Sequence, residues 1–577
     1  MGIIKFNYIT AMKKVKYLTL LFAASMFAAC SDNLDDTGSG GVGGTSDKGY
    51  IKVALNLPTT SGVNSRAAND NFNNGIEAEY KVNDAILVLF TGGSEAGATY
   101  SQAFEITPTL QSGPGSNENI TTRYTTASIE INKPASENVY GLVILNNNGL
   151  FQVKTGTSEL QWKATGSTEF SDFSGKFATL NNTAYAIENV ATIANLTGAG
   201  GFLMTNAPKA AINGKGTLTE QNVTTLVQLT VRDNKDAADA AAPDEIYVER
   251  AVAKTTAKVN ASNSTLTVTE GDFENATVEF QGWSLNTTNK TTYLVRNVAD
   301  WEEWALYTMP IDATAGSGNR FFGNDAAFYR VYWAIDPNYN SKDKTNLSTY
   351  EPNSTISWTA IDNSSTASGS EHPQYCLENT TSESYMLETE LTGVLFKAKF
   401  TPDGATDDSN FFMLANKSEI YTEENFVNLV NTILGAGTIS ASNISGEGGT
   451  YTTKETVASW LRITEENAQD LLNDSHIGGD IKFYKGGVCY YYSAFIKHFG
   501  DDLTPFRSGT YTAADHLGRY GVVRNNWYEL NITKVTGPGS PEIPEPDDEK
   551  TPDDTESWIR CAINVLSWAK RSQDVEL

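Results

Sequence analysis

Cys30 is the first residue whose type and setting suggest a defined chemistry. Lys13 and Lys14 precede an apolar run from Leu18 to Phe27, and small residues lead up to the cysteine. This order is typical of a lipoprotein signal, and the run is shorter than the roughly 20 residues that a membrane-spanning helix needs. We expect residues 1–30 to be the signal peptide and the Cys30 thiol to carry an acyl (palmitate) anchor. A buried helix beginning at Met12 is the alternative interpretation.

Arg66 is the second candidate, as a site for a trypsin-like protease in a polar segment. A flexible spacer follows Cys30, and then a strand in which alternate residues are apolar. Cleavage between Arg66 and Ala67 would release residues 31–66 and leave a hydrophobic groove in the remaining fold. The residues of the removable strand that share one face are Ile51, Val53, Leu55 and Leu57.

The C-terminal tail contains a second strand with the same pattern. Residues 537–557 are rich in acidic residues and proline, which predicts an extended linker, and an apolar segment follows. An isolated strand is unstable in water, so it either folds back on its own domain or fills the groove of a neighbouring subunit. The predicted donor strand lies within residues 558–577 and is formed by Trp558, Ile559, Cys561, Ile563, Val565 and Trp568.

The body of the chain predicts a mainly β protein. Short β-branched or aromatic runs are bounded by turn residues, and Ala85–Phe90 and Leu142–Leu145 are continuous apolar runs typical of a sandwich core. Thr422 can cap a helix with one apolar face, and a second helical stretch is expected at about 456–472. We predict an N-terminal β-sandwich at 67–297 and a C-terminal β-sandwich with a small helical insertion at 298–536.

Composition excludes several classes of function. A net charge of -27 offers nothing that would attract nucleic acid. Only 4 Cys and 4 His are present, without zinc-type spacing or a catalytic motif, and the clustered aspartates lack the features of a calcium loop. We therefore expect the protein to bind no cofactor and no metal and to have no enzymatic activity.

A surface carbohydrate-binding lipoprotein is the alternative function, although most of the tryptophans that could bind a sugar lie in apolar runs typical of a core. Those tryptophans are Trp283, Trp301, Trp304, Trp333, Trp460 and Trp527.

Several segments together resemble the Bacteroidales-type fimbrillins, the shaft subunits of type V pili, with the tail closest to the major subunit of the short fimbriae. The resemblance covers nearly the whole mature chain, with Ser567 and Phe27 standing where the family has Pro and Leu. Ser567 leaves the donor register open. The segments are the lipobox at Cys30, the strand and arginine ending at Arg66, Val248–Lys254, Tyr375–Thr380, Val523–Ile532 and the tail from Val565 to Leu577.

The resemblance implies two transthyretin-like β-sandwich domains and export to the outer membrane as a lipoprotein. It also implies cleavage by an Arg-specific protease and assembly at the cell surface by donor-strand exchange. The implied partners are identical subunits, anchor and tip subunits, and host or bacterial surface ligands. A tip or anchor role is the alternative within the family, but a chain with both a cleavable first strand and a donor tail fits the shaft.

Overall fold

The computed structural model describes the chain in segments, and the residues Asp47–Leu577 form one compact unit. The described residues are 48–57, 79, 81–110, 123–134, 137–164, 167–186, 201–210, 223–298, 309–310, 317–318, 322–323, 329–331, 333–340, 347–348, 356, 358–367, 370–415, 417–493, 495–498, 506–507, 509–554 and 559–567.

The first half of the described chain is built from strands of two to ten residues. In chain order they are β1 (Lys48–Ile51), β2 (Val53–Asn56), β3 (Ala85–Gly92), β4 (Thr99–Glu105), β5 (Thr109–Leu110), β6 (Arg123–Thr125), β7 (Ile129–Asn132), β8 (Asn138–Leu145), β9 (Phe151–Val153), β10 (Leu160–Trp162), β11 (Ser171–Asp172), β12 (Ala184–Ala186), β13 (Met204–Asn206), β14 (Lys209–Ala210), β15 (Val223–Thr224), β16 (Val227–Leu229), β17 (Asp244–Arg250), β18 (Ala253–Val259), β19 (Thr265–Thr267), β20 (Thr277–Asn286), β21 (Thr288–Asn289) and β22 (Thr291–Tyr293).

The second half contains further strands and most of the helices. The strands are β23 (Met309–Pro310), β24 (Ser317–Gly318), β25 (Phe322–Gly323), β26 (Tyr329–Val331), β27 (Leu347–Ser348), β28 (Asp362–Asn363), β29 (Gln374–Cys376), β30 (Asn379–Thr380), β31 (Gly393–Thr401), β32 (Phe411–Leu414), β33 (Ile420–Thr422), β34 (Gly449–Tyr451), β35 (Ile481–Tyr484), β36 (Val488–Ser493), β37 (Gly521–Val522), β38 (Asn526–Val535) and β39 (Ile559–Ser567). The α-helices among the described residues are α1 (Phe177–Asn181), α2 (Lys235–Ala240), α3 (Glu423–Leu434), α4 (Lys454–Leu461), α5 (Glu465–Asn473) and α6 (Ala513–His516).

This inventory confirms the predicted mainly β class. The two continuous apolar runs form β3 and β8, which pair antiparallel along their full length. Their alternate residues enter two different core clusters, because both faces of this part of the sheet are covered. Leu87 and Val143 contact the core that contains the first strand, whereas Val88 and Leu142 face the aromatic side chains of the other cluster.

Sheet pairing crosses the predicted boundary at residue 297. Strand β18 pairs parallel with β38, and β20 pairs antiparallel with β31. Residues of β18 and β20 therefore share one hydrophobic core with β31 and β38. The division into two domains at 297 stays a prediction, but β18 and β20 pack with the C-terminal part of the chain, whereas β22 pairs with β12.

The helical insertion lies between β31 and β36, which pair directly with each other. It has its own core, in which α3, α4 and α5 cover the sheet of β32 to β35. The first helix begins as predicted, because the Thr422 hydroxyl accepts the Asn425 backbone N–H at 3.2 Å. The helical stretch expected at about 456–472 is present as two helices, α4 and α5. The chain turns at Arg462, with φ at 57°, and Thr464 caps a new helix.

The acidic segment predicted as a linker is extended but lies against the C-terminal sheets. Ser540 pairs antiparallel with Tyr490, and Gly539 passes so close that an added Cβ would lie 2.2 Å from the Tyr490 carbonyl oxygen. Only glycine allows this approach. A segment whose composition is typical of a free linker can therefore pack against the sheet at this point.

Within the part of the chain that the structure describes, no helix has the length and apolarity that a membrane crossing requires.

Glu95 gives a testable pH dependence. Its carboxylate accepts the Thr225 backbone N–H at 3.0 Å and 3.1 Å, and burial raises its pKa to about 7. Since the unfolded carboxyl has its ordinary pKa of 4.5, stability should fall as pH rises from about 4.5 to about 7 and then level off. Glu95→Gln should therefore stabilise the protein at pH 8, by at most about 3 kcal/mol, and have little effect at pH 4.5.

Thermal unfolding of both proteins at the two pH values measures this difference. Glu137→Gln, at an exposed position, is the matched control and should change stability by at most about 0.5 kcal/mol. An equal effect of Glu95→Gln at both pH values would contradict the assignment.

Candidate functional site

The first strand occupies an interior position in its sheet. Strand β2 pairs parallel with β17 on one side and antiparallel with β6 on the other. Just before it, β1 pairs antiparallel with β7. An interior strand completes two hydrogen-bonded ladders, so its removal would leave two strand edges unpaired and a gap between them.

The side chains of this strand are fully buried, as its alternating pattern predicts. Leu55 packs in a core cluster with residues of β3, β8 and β17, and the residues on the opposite face are buried as well. Asn56 lies on that opposite face, and its amide donates to the Glu245 carboxylate at 2.6 Å. The exposed fractions of Ile51, Val53, Leu55 and Leu57 are 0%, 0%, 0% and 2%.

Main-chain groups around Lys52 and Val53 are bonded on both sides. Asp244 N–H donates to the Lys52 carbonyl at 2.9 Å. Thr126 N–H donates to the Val53 carbonyl at 3.0 Å, while its hydroxyl accepts the Val53 N–H at 3.2 Å. Replacing this strand requires another extended segment, because water alone cannot restore a buried ladder.

The predicted processing residues lie outside the described residues. These are the lipidation site Cys30 and the cleavage pair Arg66 and Ala67. Their assigned roles stay predictions.

Glu79 is the first described residue after this stretch, and it is anchored. Lys254 Nζ lies 3.0 Å from its carboxylate, and both side chains are buried. The Tyr375 hydroxyl donates to the same carboxylate oxygen, and Arg250 Nε donates to the Glu79 carbonyl at 2.7 Å. Burial raises the pKa of Tyr375 and lowers that of Arg250 to about 10. The Lys254 ammonium also lies 3.9 Å from the centre of the Trp527 ring, on β38.

The tail strand pairs with its own subunit in this full-length chain. Strand β39 runs antiparallel to β38, from Asn526 opposite Ser567 to Val535 opposite Ile559, with a bulge between Ile532 and Lys534. The sequence suggested no nearby partner, but the folded-back arrangement is the one that the uncleaved chain adopts. Trp558 and Trp568 lie outside the described residues.

The tail strand has the same length as the N-terminal extended segment Lys48–Asn56, which comprises β1, Lys52 and β2. The tail strand spans nine residues, Ile559–Ser567. Strands β1 and β2 have four residues each and are separated only by Lys52. Both segments also carry apolar residues at alternate positions, so they share the same length and period.

Two further buried ion pairs were not predicted from the sequence. Arg296 Nε donates to the Glu249 carboxylate at 2.9 Å, and Arg524 Nη2 lies 2.7 Å from the Glu378 carboxylate. All four side chains are at most 4% exposed. The pairs join residues far apart in the chain, so no local spacing could have indicated them.

The groups that could support other chemistry are buried or dispersed. Among the described residues, no three His, Cys, Asp or Glu side chains come close enough to hold a metal ion. Burial raises the pKa of Cys376 to about 12 and that of Cys489 to about 11, which disfavours a reactive thiolate. His498 Nδ1 lies 2.8 Å from the Tyr528 hydroxyl in the interior.

Four of the six tryptophans considered as a sugar platform belong to the core. Trp283, Trp333, Trp460 and Trp527 are 0%, 0%, 6% and 2% exposed, whereas Trp301 and Trp304 lie outside the described residues. The four buried rings cannot form an exposed carbohydrate-binding surface.

A known protein family matches the region that contains β38 and the tail. Residues 482–574 match the family model described as major fimbrial subunit protein type IV, fimbrillin, C-terminal. The match confirms the resemblance to fimbrillins for this C-terminal region. No curated protein sequence matches the chain.

Solved structures show weaker similarity. A candidate cell adhesion protein of Parabacteroides distasonis is 11% identical, with 92% of this chain and all (100%) of that chain covered and a TM-score of 0.34. A fimbrilin of Porphyromonas gingivalis is 12% identical, with 91% and 99% covered and a TM-score of 0.32. The tip fimbrial protein Mfa3 of the same species is 9% identical, with 89% and 99% covered and a TM-score of 0.29.

The buried position of the first strand predicts a large effect of truncating Leu55. Leu55→Ala removes a fully buried side chain from an interior strand and should lower the free energy of unfolding of the uncleaved protein by about 2–5 kcal/mol. Urea denaturation measures the change. Lys48→Ala is the control, since the Lys48 ion pair with Glu130 is exposed and should contribute at most about 1 kcal/mol. Equal stabilities of the two variants would place the strand outside the core.

Proposed function

We propose that this chain is a structural shaft subunit of a surface fimbrium that assembles by strand exchange. It is exported as an outer membrane lipoprotein anchored at Cys30, and an Arg-specific protease cuts it between Arg66 and Ala67. The first strand then leaves, and the tail strand of a neighbouring subunit fills the gap between β17 and β6. The observation that carries this proposal is the interior, buried position of β2 within the extended segment Lys48–Asn56, whose length and apolar alternation the tail strand matches.

The energetics support a durable contact. An inserted strand adds main-chain hydrogen bonds, and its alternate side chains fill pockets. Burying four or five apolar side chains at about 1.5–3 kcal/mol each gives roughly 6–15 kcal/mol before ordering costs. A head-to-tail contact of this kind does not close on itself, so open filaments follow.

The uncleaved chain fits the state that precedes assembly. Its groove is filled by β1 and β2, and its tail is paired with its own β38. Both halves of the proposed contact are therefore occupied within one molecule, which keeps the lipidated precursor monomeric during export. The expected partners in the filament are identical subunits and the anchor and tip subunits, and the fibre supports adhesion to surface ligands.

A shaft role uses both features of the chain. A subunit inside the shaft must accept a strand at one end and donate one at the other. An anchor subunit would keep its first strand, and a tip subunit would lack a neighbour at one end. The presence of both a removable strand and a tail strand favours the shaft over the anchor or tip.

Cleavage after Arg66 is the first point to test. Arg66→Lys should stay uncut by an Arg-specific protease and form no filaments, because the first strand still fills the groove. Treatment of the same variant with a Lys-specific protease should restore assembly, which separates the cut from any other effect of the substitution. Filaments resistant to detergent are scored on unheated gels. Normal assembly of uncut Arg66→Lys would reject the cleavage step.

Deletion of residues 558–577 tests the donor. The truncated subunit should fold and be cleaved but should not donate a strand. Mixed in equal amount with the full-length protein, it should still accept a strand and so cap growing chains and shorten the ladder. Ladders of unchanged length from the deletion variant alone would show that the tail is not the donor.

A further inference from the structure

The acidic segment between β38 and the tail is held on the body of its own subunit along its length. We call residues 537–553 the strap. At its start, Tyr490 and Ser540 exchange two backbone hydrogen bonds, of 2.7 Å and 2.8 Å. Because an added Cβ at Gly539 would meet the Tyr490 carbonyl, the close approach depends on the glycine. The strap thus begins as a short added strand beside β36.

Two tyrosine hydroxyls of the body donate hydrogen bonds to the start of the strap. Tyr491 donates to the Gly537 carbonyl at 2.9 Å, and Tyr484 donates to the Gly539 carbonyl at 2.8 Å. Both hydrogen bonds are buried. Lifting the strap would leave these hydroxyls without their acceptors in a region from which water is excluded, and that is costly.

The middle of the strap is fixed by Glu388, which is 3% exposed. Its carboxylate accepts the Asp547 N–H at 2.9 Å, and its own N–H donates to the Lys550 carbonyl at 3.0 Å. One residue of the body therefore makes a side-chain and a main-chain contact to the strap.

The end of the strap is fixed by Asp553. Its carboxylate accepts the Phe506 N–H at 2.8 Å and lies 3.3 Å from Nε of Arg519, whose side chain is fully buried. The Tyr520 hydroxyl donates to the same carboxylate oxygen. Just before it, the Thr551 hydroxyl donates to the Phe506 carbonyl at 3.3 Å. Removing Asp553 would take the carboxylate away from a buried guanidinium.

We propose that the strap stays docked on its own subunit during strand exchange and that the tail leaves the body at Asp553. The inference rests on the proposed function. The docked strap shortens the distance that the donor strand can reach. If the whole segment after Val535 were free, about 24 residues could span roughly 80 Å before Ile559. If the strap stays docked, the six residues beyond Asp553 span only about 20 Å. The acceptor gap of the neighbouring subunit must then open within about 20 Å of Asp553.

Two engineered disulfides test this directly in the full-length chain. Tyr490→Cys with Ser540→Cys joins residues that directly oppose each other and would lock the strap to the body. Asn531→Cys with Ala562→Cys joins opposing residues of β38 and β39 and would lock the tail. The single variants Ser540→Cys and Ala562→Cys are the matched controls, and mass spectrometry verifies each bond. Each oxidised precursor is cleaved with the Arg-specific protease, and filament yield is measured with and without dithiothreitol.

The strap-locked protein should assemble within about twofold of wild type, and the tail-locked protein should lose at least about tenfold in yield and regain it on reduction. A strap-locked protein that assembles only after reduction would overturn the strap proposal while leaving the tail as donor. A tail-locked protein that assembles normally would remove the donor assignment and, with it, the strap proposal.

Amide exchange gives a second readout that needs no substitution. The N–H groups of Ser540, Asp547 and Glu388 donate within the strap contact and should stay protected in wild-type filaments. Protection in the precursor and its loss in filaments would show that the strap moves.

Discussion

The central constraint in this structure is that the first strand is an interior strand. Strand β2 supplies hydrogen bonds to β17 and β6 at once, and its side chains complete the core beneath β3 and β8. A sheet tolerates the loss of an edge strand far better than the loss of a strand from its middle, because two ladders and a row of core positions depend on the latter. A chain that loses this segment must bind another strand or expose an apolar gap.

In the uncleaved chain the tail strand lies at the edge of a sheet and not in its interior. Strand β39 pairs along β38 at the end of its sheet, so it completes one ladder. The gap between β17 and β6 offers two ladders and a buried face. Each added main-chain hydrogen bond contributes about 0.5–1.5 kcal/mol net, and each buried apolar side chain about 1.5–3 kcal/mol. An extended segment that moved from the edge position into that gap would gain a second ladder and a buried face.

Much of this arrangement follows from local sequence, and its failures have physical causes. Apolar runs and alternation predicted β3, β8 and the first strand, and Thr422 correctly predicted the start of α3. The turn at Arg462 has no glycine or proline to mark it, so the sequence predicts a helical stretch there but not its division into α4 and α5. The strap was read as a free linker because its composition excludes a core of its own, yet its contacts come from side chains of the body. Pairings such as Glu249 with Arg296 depend on the folded sheets and leave no periodic signal.

The anchor at Glu79 explains how such a chain could lose its first strand without unravelling further. Glu79 is tied to Lys254 and Tyr375, and Arg250 holds its carbonyl, so the chain that enters β3 is fixed from that point. Breaking this buried ion pair would leave an uncompensated charge, which is more costly than the pair is stabilising. Loss of the residues upstream of Ala67 would therefore leave Glu79 and the chain that enters β3 in place. At the other end of the chain, Asp553 and Arg519 hold the strap in the same way. Two ion-paired carboxylates, Glu79 and Asp553, thus stand where the body meets the segments that strand exchange would move.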